Sequence, residues 1–274
     1  MATCYKVGVF VDAENVRYNG GYQMRYDVLR RFAARGERSL VRLNTYVAFD
    51  PERAGEDPEY ARRAYGFQQA ARQYGWKVNV KNARHFTDSD GNTITKANAD
   101  IDIAVDALQQ ADNLDEILLV SGDGDFCPLV AALQSRGCRA ELVGFDNVSR
   151  SLQRQVDFFH SGFLIPDLVS ISYEPRNQWG ETGSCVRGLC TKWFSDKGYG
   201  FLSFLRQIDD NIWLTDSRVP ESPWSSVFCH INEVASEVTE ENLLKGDTVL
   251  EFYLKESPQE EGGLVAQNVR LIQK

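Results

Sequence analysis

The sequence contains no C-x-x-C pair, only three histidines, and no apolar run near the roughly 20 residues needed to span a bilayer. The first two absences leave neither a zinc-ligand spacing nor a disulfide framework. Cys4, Cys127, Cys138, Cys185, Cys190 and Cys229 therefore read as scattered, reduced and mostly buried thiols. The third leaves no candidate membrane helix, and the opening MATCYKVGVFVDAEN lacks the charged head and apolar stretch of a signal peptide. A soluble cytoplasmic protein without a membrane partner is expected. A basic excess is missing too: the net charge of −9 argues against a general binder of polyanions.

What is present is length and apolar content enough for two domains, 274 residues at 43% apolar. The charge is unevenly spread. Residues 1–85 carry 15 Lys+Arg against 9 Asp+Glu, and residues 86–170 carry 5 against 14. Arg17, Arg25, Arg30, Arg31, Arg35, Arg38 and Arg42 cluster in the first stretch, as a solvated helix face or as phosphate contacts.

From Lys6 to Leu168 short apolar runs alternate with segments of helical period, the pattern of an α/β fold: a doubly wound parallel sheet with helices on both faces. Strands are expected at residues 6–12, 40–49, 76–82, 116–122 and 140–145. Helices are expected around residues 28–35, 59–74, 100–110, 128–135 and 149–159, with Gly36, Gly75 and Gly137 as left-handed caps. SYEPRNQWGETGS breaks the alternation and reads as a linker over 171–184 between domains at 1–170 and 185–274. Beyond it five short strands predict a small all-β antiparallel barrel.

In a parallel sheet, function gathers outside the carboxyl ends of the strands where the winding reverses. The first strand ends in VDAEN, which places Asp12 at a tip and Asn15 a turn on. The fourth ends in SGDGDF, with Asp123 at the tip and Asp125 behind it. The helix feeding that strand opens ANADIDIAVD, so Asp100 projects toward the same edge. Asp102 and Asp106 share one face of it. Converging carboxylates repel one another, and a hard cation relieves the repulsion. Oxygen donors without His or Cys suit Mg²⁺ or Mn²⁺, which serve phosphodiester hydrolysis. Taken singly, Asp123 fits a turn and Asp125 a helix cap, while Asp106 fits a structural hydrogen bond.

VGVFVDAEN, ANADIDIAVDAL and ILLVSGDGDFCPLVAALQSRGCRAELVGF together resemble the NYN domain family, the LabA-like branch of the PIN-like nuclease superfamily. The resemblance implies a Mg²⁺-dependent ribonuclease with Asp12, Asn15, Asp100, Asp123 and Asp125 at its site. It further implies Asp12, Asp100, Asp123 and Asp125 as metal-holding residues, with Asp102 as an addition and with Asn15 and Ser121 orienting phosphate or water. Members carry Lys-Gly before the helix aspartate, whereas this chain has Lys96-Ala97-Asn98-Ala99-Asp100.

In TKWFSDKGYGFLSF aromatics interleave with lysines and glycines, and strand alternation places Tyr199 and Phe201 on one face. VFCHI does the same for Phe228 and His230. Lys192, Trp193, Lys197, Tyr199, Phe201, Phe228 and His230 are thereby candidates for stacking and holding unpaired bases, and Phe194 and Phe204 for the core. The segment resembles the cold-shock domain, an OB-fold barrel that binds single-stranded RNA or DNA, through KWF, KGYGFLSF, VFCHI, KGDTVLEF and AQNVRLI. It departs from that pattern in a shorter link after KWF, in Ile231 where an aromatic is usual, and in a long 205–226 connection bearing Trp213 and Trp224. The barrel region is acidic, with 10 Lys+Arg against 16 Asp+Glu over 171–274, so stacking should outweigh long-range attraction.

Both halves point to single-stranded RNA, with single-stranded DNA as an alternative ligand, and to a two-domain ribonuclease. The competing reading is a non-catalytic RNA-binding regulator whose first domain mediates assembly. A small-molecule phosphohydrolase leaves the barrel unexplained. A homodimer through the first domain is an expectation to which no surface is assigned.

Overall fold

Six apolar runs pair in parallel to build the sheet of the first unit in the computed structural model, which describes residues 4–87, 93–96, 99–171, 177–257 and 263–272. Three precede the helix that carries Asp100: β1 (Tyr5–Asp12), β2 (Arg38–Phe49) and β3 (Lys77–Asn82). A separate hairpin of β4 (Arg84–Thr87) and β5 (Thr93–Lys96) follows. The sheet then resumes with β6 (Glu116–Val120), β7 (Arg139–Gly144) and β8 (Phe158–Ser161). Its order is β3-β2-β1-β6-β7-β8, so the winding runs one way from β1 to β3 and the other from β6 to β8. The reversal falls between β1 and β6, where Val11 is in register with Val120. Asp12 and Ser121 thus stand side by side at the strand tips.

Helices cover both faces. Phe10, Tyr46, Ile117, Leu119 and Leu142 point to a core closed by α5 (Asp100–Gln110), α6 (Cys127–Ser135) and α7 (Arg150–Gln155). The alternate residues, Val7, Val9 and Val11 among them, are buried on the opposite face with α2 (Tyr26–Ala33) and α4 (Pro58–Gln73). There Tyr26 meets Phe67 and Trp76 edge-on at 5.4 and 5.1 Å. Two six-residue helices, α1 (Ala13–Tyr18) and α3 (Pro51–Glu56), complete the unit. Gly36, Gly75 and Gly137 hold φ of 63°, 84° and 81°, as expected of left-handed caps.

The structure corrects the sequence reading in places. The helix expected over 149–159 stops at Gln155, and the chain turns into the sixth strand, β8. The arginine cluster is not one surface. Arg35 is 5% exposed and donates to Glu141, while Arg38 grips Glu116 at 3.1 Å. His160 completes this buried network, 2.8 Å from Glu141. Burial holds the imidazole below its ordinary pKa against the pull of that carboxylate.

The barrel is closed by β9 (Cys185–Phe194), β10 (Tyr199–Leu205), β11 (Trp224–His230), β12 (Val249–Glu256) and β13 (Leu264–Leu271), in the order β10-β11-β13-β12-β9. It is not wholly antiparallel: β11 and β13 pair in parallel, as Phe228 meets Val265. Between β11 and β12 lies α8 (Glu240–Lys245), started by a reciprocal cap between Thr239 and Asn242. The five-stranded closed barrel is consistent with an OB-fold. Inside it Phe204 and Phe252 meet edge-on, both fully buried.

The two compact units are Met1–Ser161 and Gly162–Lys274. Of the stretch read as a linker, residues 172–176 lie outside the described residues. Its later part joins the second unit: Trp179 donates to the Leu205 carbonyl at 2.8 Å and Gly183 to Leu254 at 2.7 Å.

Gly188 in β9 shows how tightly the barrel closes, since a Cβ there would stand 2.3 Å from the Ser203 carbonyl oxygen. Backbone cannot yield as a side chain can. Gly188→Ala is expected to destabilise the second unit by about 1–3 kcal/mol, read as a lower urea midpoint of its tryptophan fluorescence transition.

Candidate functional site

The site grows from the end of β1. The chain leaves the sheet at Asp12 and turns at once into α1, and Asp12 is the cap: its Oδ1 accepts from the Asn15 backbone N–H at 3.1 Å. Its Oδ2 accepts from the buried Ser121 hydroxyl at 3.3 Å. Asn15 faces across to β6, where its Oδ1 accepts from Gly122 N–H at 2.7 Å. These bonds tie the tips of β1 and β6 together.

Past Gly122 the chain turns through Gly124–Phe126, and Asp123 caps that turn by accepting from Asp125 N–H at 2.9 Å. The Ser121 hydroxyl accepts from Asp123 N–H at 3.2 Å, so one serine touches both aspartates' segments. Asp123 thus has the turn role its sequence position suggests and Asp12 a capping role the sequence did not announce, whereas Asp125, which reads as a helix cap, is not one: α6 starts after Phe126 without a side-chain cap. The capping role leaves the electrostatics unexplained.

Asp12 is only 7% exposed, and its carboxyl is lifted to about 6. Burial is the main cause, and the charges of Asp100 and Asp123 add to it against the opposing hydrogen bonds from Asn15 and Ser121. Asp100, first residue of α5, and Asp123 thus both lie near enough to Asp12 for their charges to act on it. Among the described residues no group of three His, Cys, Asp or Glu side chains is drawn together as a preformed metal site.

The other acidic residues have different neighbours. Asp102 is paired with Lys81 of β3 at 2.7 Å, and Asp106 accepts from the Tyr46 hydroxyl at 2.7 Å, the structural role its sequence position suggests. Asp125 is exposed on the turn. Lys96 ends β5, and residues 97 and 98 lie outside the described residues.

Residues that sequence reasoning did not single out border the site. Ser149 donates its backbone N–H to the Gly122 carbonyl at 2.9 Å, and its hydroxyl lies 2.7 Å from that of Ser151. A Cβ on Gly124 would stand 2.7 Å from the Ser149 hydroxyl and 3.1 Å from its Cβ, so the turn packs closely on the loop beyond β7. Asn19 accepts from Asn147 Nδ2 at 3.1 Å and fixes the loop beyond β7. Only topology brings these chain-distant hydroxyls and amides together.

On the barrel, cross-strand pairing sets Tyr199 opposite His230 and Phe201 opposite Phe228. Tyr199 lies 5.5 Å from the Phe228 ring and 6.3 Å from Phe201, and Phe201 lies 6.1 Å from Phe228. Phe194 belongs to this cluster, 5.1 Å from Tyr199, and not to the core. Lys192 and Lys197 stand 4.7 and 5.8 Å over its ring. Trp193 instead pairs with Gly200 and packs against the barrel interior. The cause is a bulge, because Phe201 pairs with Lys192 while Leu202 pairs with Cys190, leaving Thr191 over. His230 accepts from the Asn232 N–H through Nδ1 at 3.2 Å. In the long connection Trp224 is tied to the Ile212 carbonyl at 2.8 Å, whereas Trp213 is 62% exposed.

Comparison with known proteins bears on the first unit. Residues 6–168 match the NYN domain. Over 159 residues, 56% of this chain and 81% of the relative, the sequence is 32% identical to the "Low amplitude and bright protein LabA" of Synechococcus elongatus. A solved structure of a protein of unknown function from Vibrio parahaemolyticus aligns with a TM-score of 0.48 at 27% identity, covering 58% of this chain and 93% of that one. With more than half of its length matched and the acidic tips of β1 and β6 inside the match, the chain belongs to the NYN domain family.

Proposed function

We propose that this protein is a Mg²⁺- or Mn²⁺-dependent ribonuclease acting on single-stranded RNA, with a barrel of cold-shock type that holds the strand. Membership of the NYN family, which is PIN-like and nuclease-related, supports a role on nucleic acid. The observation that carries the catalytic reading is the Asp12 carboxylate buried at the sheet's switch point, where burial first, and the charges of Asp100 and Asp123 after it, disfavour its ionised form. Such a group is poised for a cation. The donors are all oxygen, which suits a hard cation such as Mg²⁺ or Mn²⁺.

Asp12, Asp100 and Asp123 would hold the ion, with Asp125 on the exposed side of the same turn. Bound there, a divalent cation would neutralise the scissile phosphate and lower the pKa of an attacking water. The chain's own groups do the positioning. Asn15 and Ser121 lock the two strand tips, Gly124 lets the backbone of the turn approach closely, and the Ser149 and Ser151 hydroxyls offer donors to a phosphate.

The barrel supplies affinity. Tyr199, Phe201, Phe228 and His230 form an aromatic cluster on neighbouring strands with Lys192 and Lys197 beside it, suited to stacking unpaired bases. Tethering to a second domain raises the local concentration of RNA at a weak site. Phe201→Ala and Phe228→Ala should each weaken binding of a fluorescent oligouridine by about 1–3 kcal/mol, measured by anisotropy. Unchanged affinity in both would remove the barrel from the account.

The reading is tested by incubating labelled single-stranded RNA with the full chain and Mg²⁺ or Mn²⁺, with a chelator as control. Metal-dependent products support it. RNA that is bound and never cut would favour the binding regulator.

A further inference from the structure

Beside the acidic tips lies exposed aromatic surface that neither the cleavage chemistry nor the barrel uses. Tyr18 is 74% exposed and Tyr22 61%, the most exposed tyrosines among the described residues. Both sit in the segment that leaves Asp12. The six residues of α1 span about 9 Å, with Asp12 capping one end and Tyr18 closing the other. Asn15 and Val16 turn inward, to Gly122 and to the core. Glu14, Arg17 and Tyr18 share the outer face by helical spacing. The Arg17 guanidinium stands 5.4 Å over the Tyr18 ring and 3.8 Å from Glu14, half exposed.

The segment is held in place. Asn19 accepts from Asp146 N–H through its backbone carbonyl at 2.8 Å and from the Asn147 amide through its side chain. Gly21 donates to the Val16 carbonyl at 2.9 Å, and a Cβ on it would meet Val16 at 2.4 Å and Phe145 at 2.8 Å. Met24, 7% exposed, anchors the far end. Residues 13–24 thus pass along the tips of β1, β6 and β7 with two tyrosine rings turned outward. Aromatic rings exposed on a fixed backbone at a site's edge can be contacted with little ordering entropy to oppose it.

We propose that Tyr18 and Tyr22 are a second base-stacking surface, on the NYN domain itself, which holds unpaired bases next to the phosphate at Asp12, with Arg17 as a phosphate contact. The inference rests on the reading of this site as one for single-stranded RNA. It makes the tyrosines positioning residues, whose loss weakens the hold on RNA near the site while the acidic cluster stays intact.

The test uses the full chain carrying Asp12→Asn, so that RNA stays uncut in Mg²⁺, with a fluorescent oligouridine as probe. Ultraviolet crosslinking should recover RNA on the peptide containing residues 13–25 as well as on the barrel. In a Phe201→Ala, Phe228→Ala background, Tyr18→Ala with Tyr22→Ala should weaken binding by about fivefold or more. The pair Tyr18→Phe with Tyr22→Phe should restore it, because stacking needs the ring and not the hydroxyl. Absence of the crosslink together with unchanged affinity of the alanine pair would overturn the proposal, as would failure of the phenylalanine pair to restore binding. Its failure is distinct from that of the nuclease reading. Wild type that cuts RNA, with no crosslink and unchanged affinity in the alanine pair, refutes only the tyrosine surface, and the crosslink without metal-dependent cutting refutes only catalysis.

Discussion

Asp12→Asn is expected to raise the melting temperature of the metal-free first domain at pH 7.5, although it removes a residue at the centre of the site. Burial and the charges of Asp100 and Asp123 lift the Asp12 carboxyl from the ordinary aspartate range to about 6. The folded state therefore holds this proton more tightly than the unfolded chain does. Below about pH 4 both states are protonated and the charge imposes no penalty. The penalty grows between about pH 4 and pH 6 and is complete above, so this group's contribution lowers stability as pH rises. A shift of this size corresponds to about 3 kcal/mol, or roughly 6–12 °C for a domain of this length. Asparagine caps a helix about as well as aspartate, and its Oδ1 keeps the bond from Asn15. The two melting temperatures should converge near pH 4. Mg²⁺ should raise that of the wild type and leave the variant's unchanged. A variant that melts below wild type at pH 7.5, by calorimetry, would show that Asp12 is held for stability.

The second large effect separates cutting from holding. Asp123→Asn keeps the cap to Asp125 N–H and removes a charge facing Asp12, so RNA affinity at the barrel should stay unchanged. Its turnover should fall by at least about 10²-fold, the scale of losing a group that activates the attacking water. Phe201→Ala with Phe228→Ala should do the reverse, raising KM and sparing kcat at saturating RNA. Single-turnover rates and anisotropy on identical preparations would resolve the two. If the aspartate variant lost binding and cleavage in proportion, the acidic tips would be part of the RNA grip and not of the chemistry.

Much of this was legible from local pattern. Asp12 and Asp123 could be placed on one edge because each follows an apolar strand run, and Asp100 because it opens the helix that feeds the second of those strands. Strand period alone set Tyr199 with Phe201 on one face and Phe228 with His230 on one face of the next strand, while their pairing across the strands is a matter of register that only the structure gives. What stayed hidden depends on register or on distant partners. The bulge at Thr191 reverses the alternation along β9, so Phe194 joins the surface cluster and Trp193 covers Gly200. Arg35 reads as surface charge until Glu141, 106 residues away, arrives beside it. β8 has four residues, too few for a period to show against the helix before it. The six-residue helices α1 and α3 and the β4–β5 hairpin escaped for the same reason. Ser149 and Ser151 carry no sequence signal at all, because their role begins only when the loop after β7 packs on Gly124.

The central claim is that the carboxylates at the tips of β1 and β6 cut single-stranded RNA with a divalent ion. The most direct measurement is a time course of a labelled RNA with wild type and Asp12→Asn, purified identically, in Mn²⁺, in Mg²⁺ and in chelator. The account predicts products from the wild type with either metal, none in chelator, and none above background from the variant. Equal cleavage by wild type and variant, or none by a wild type that binds the RNA, would contradict it.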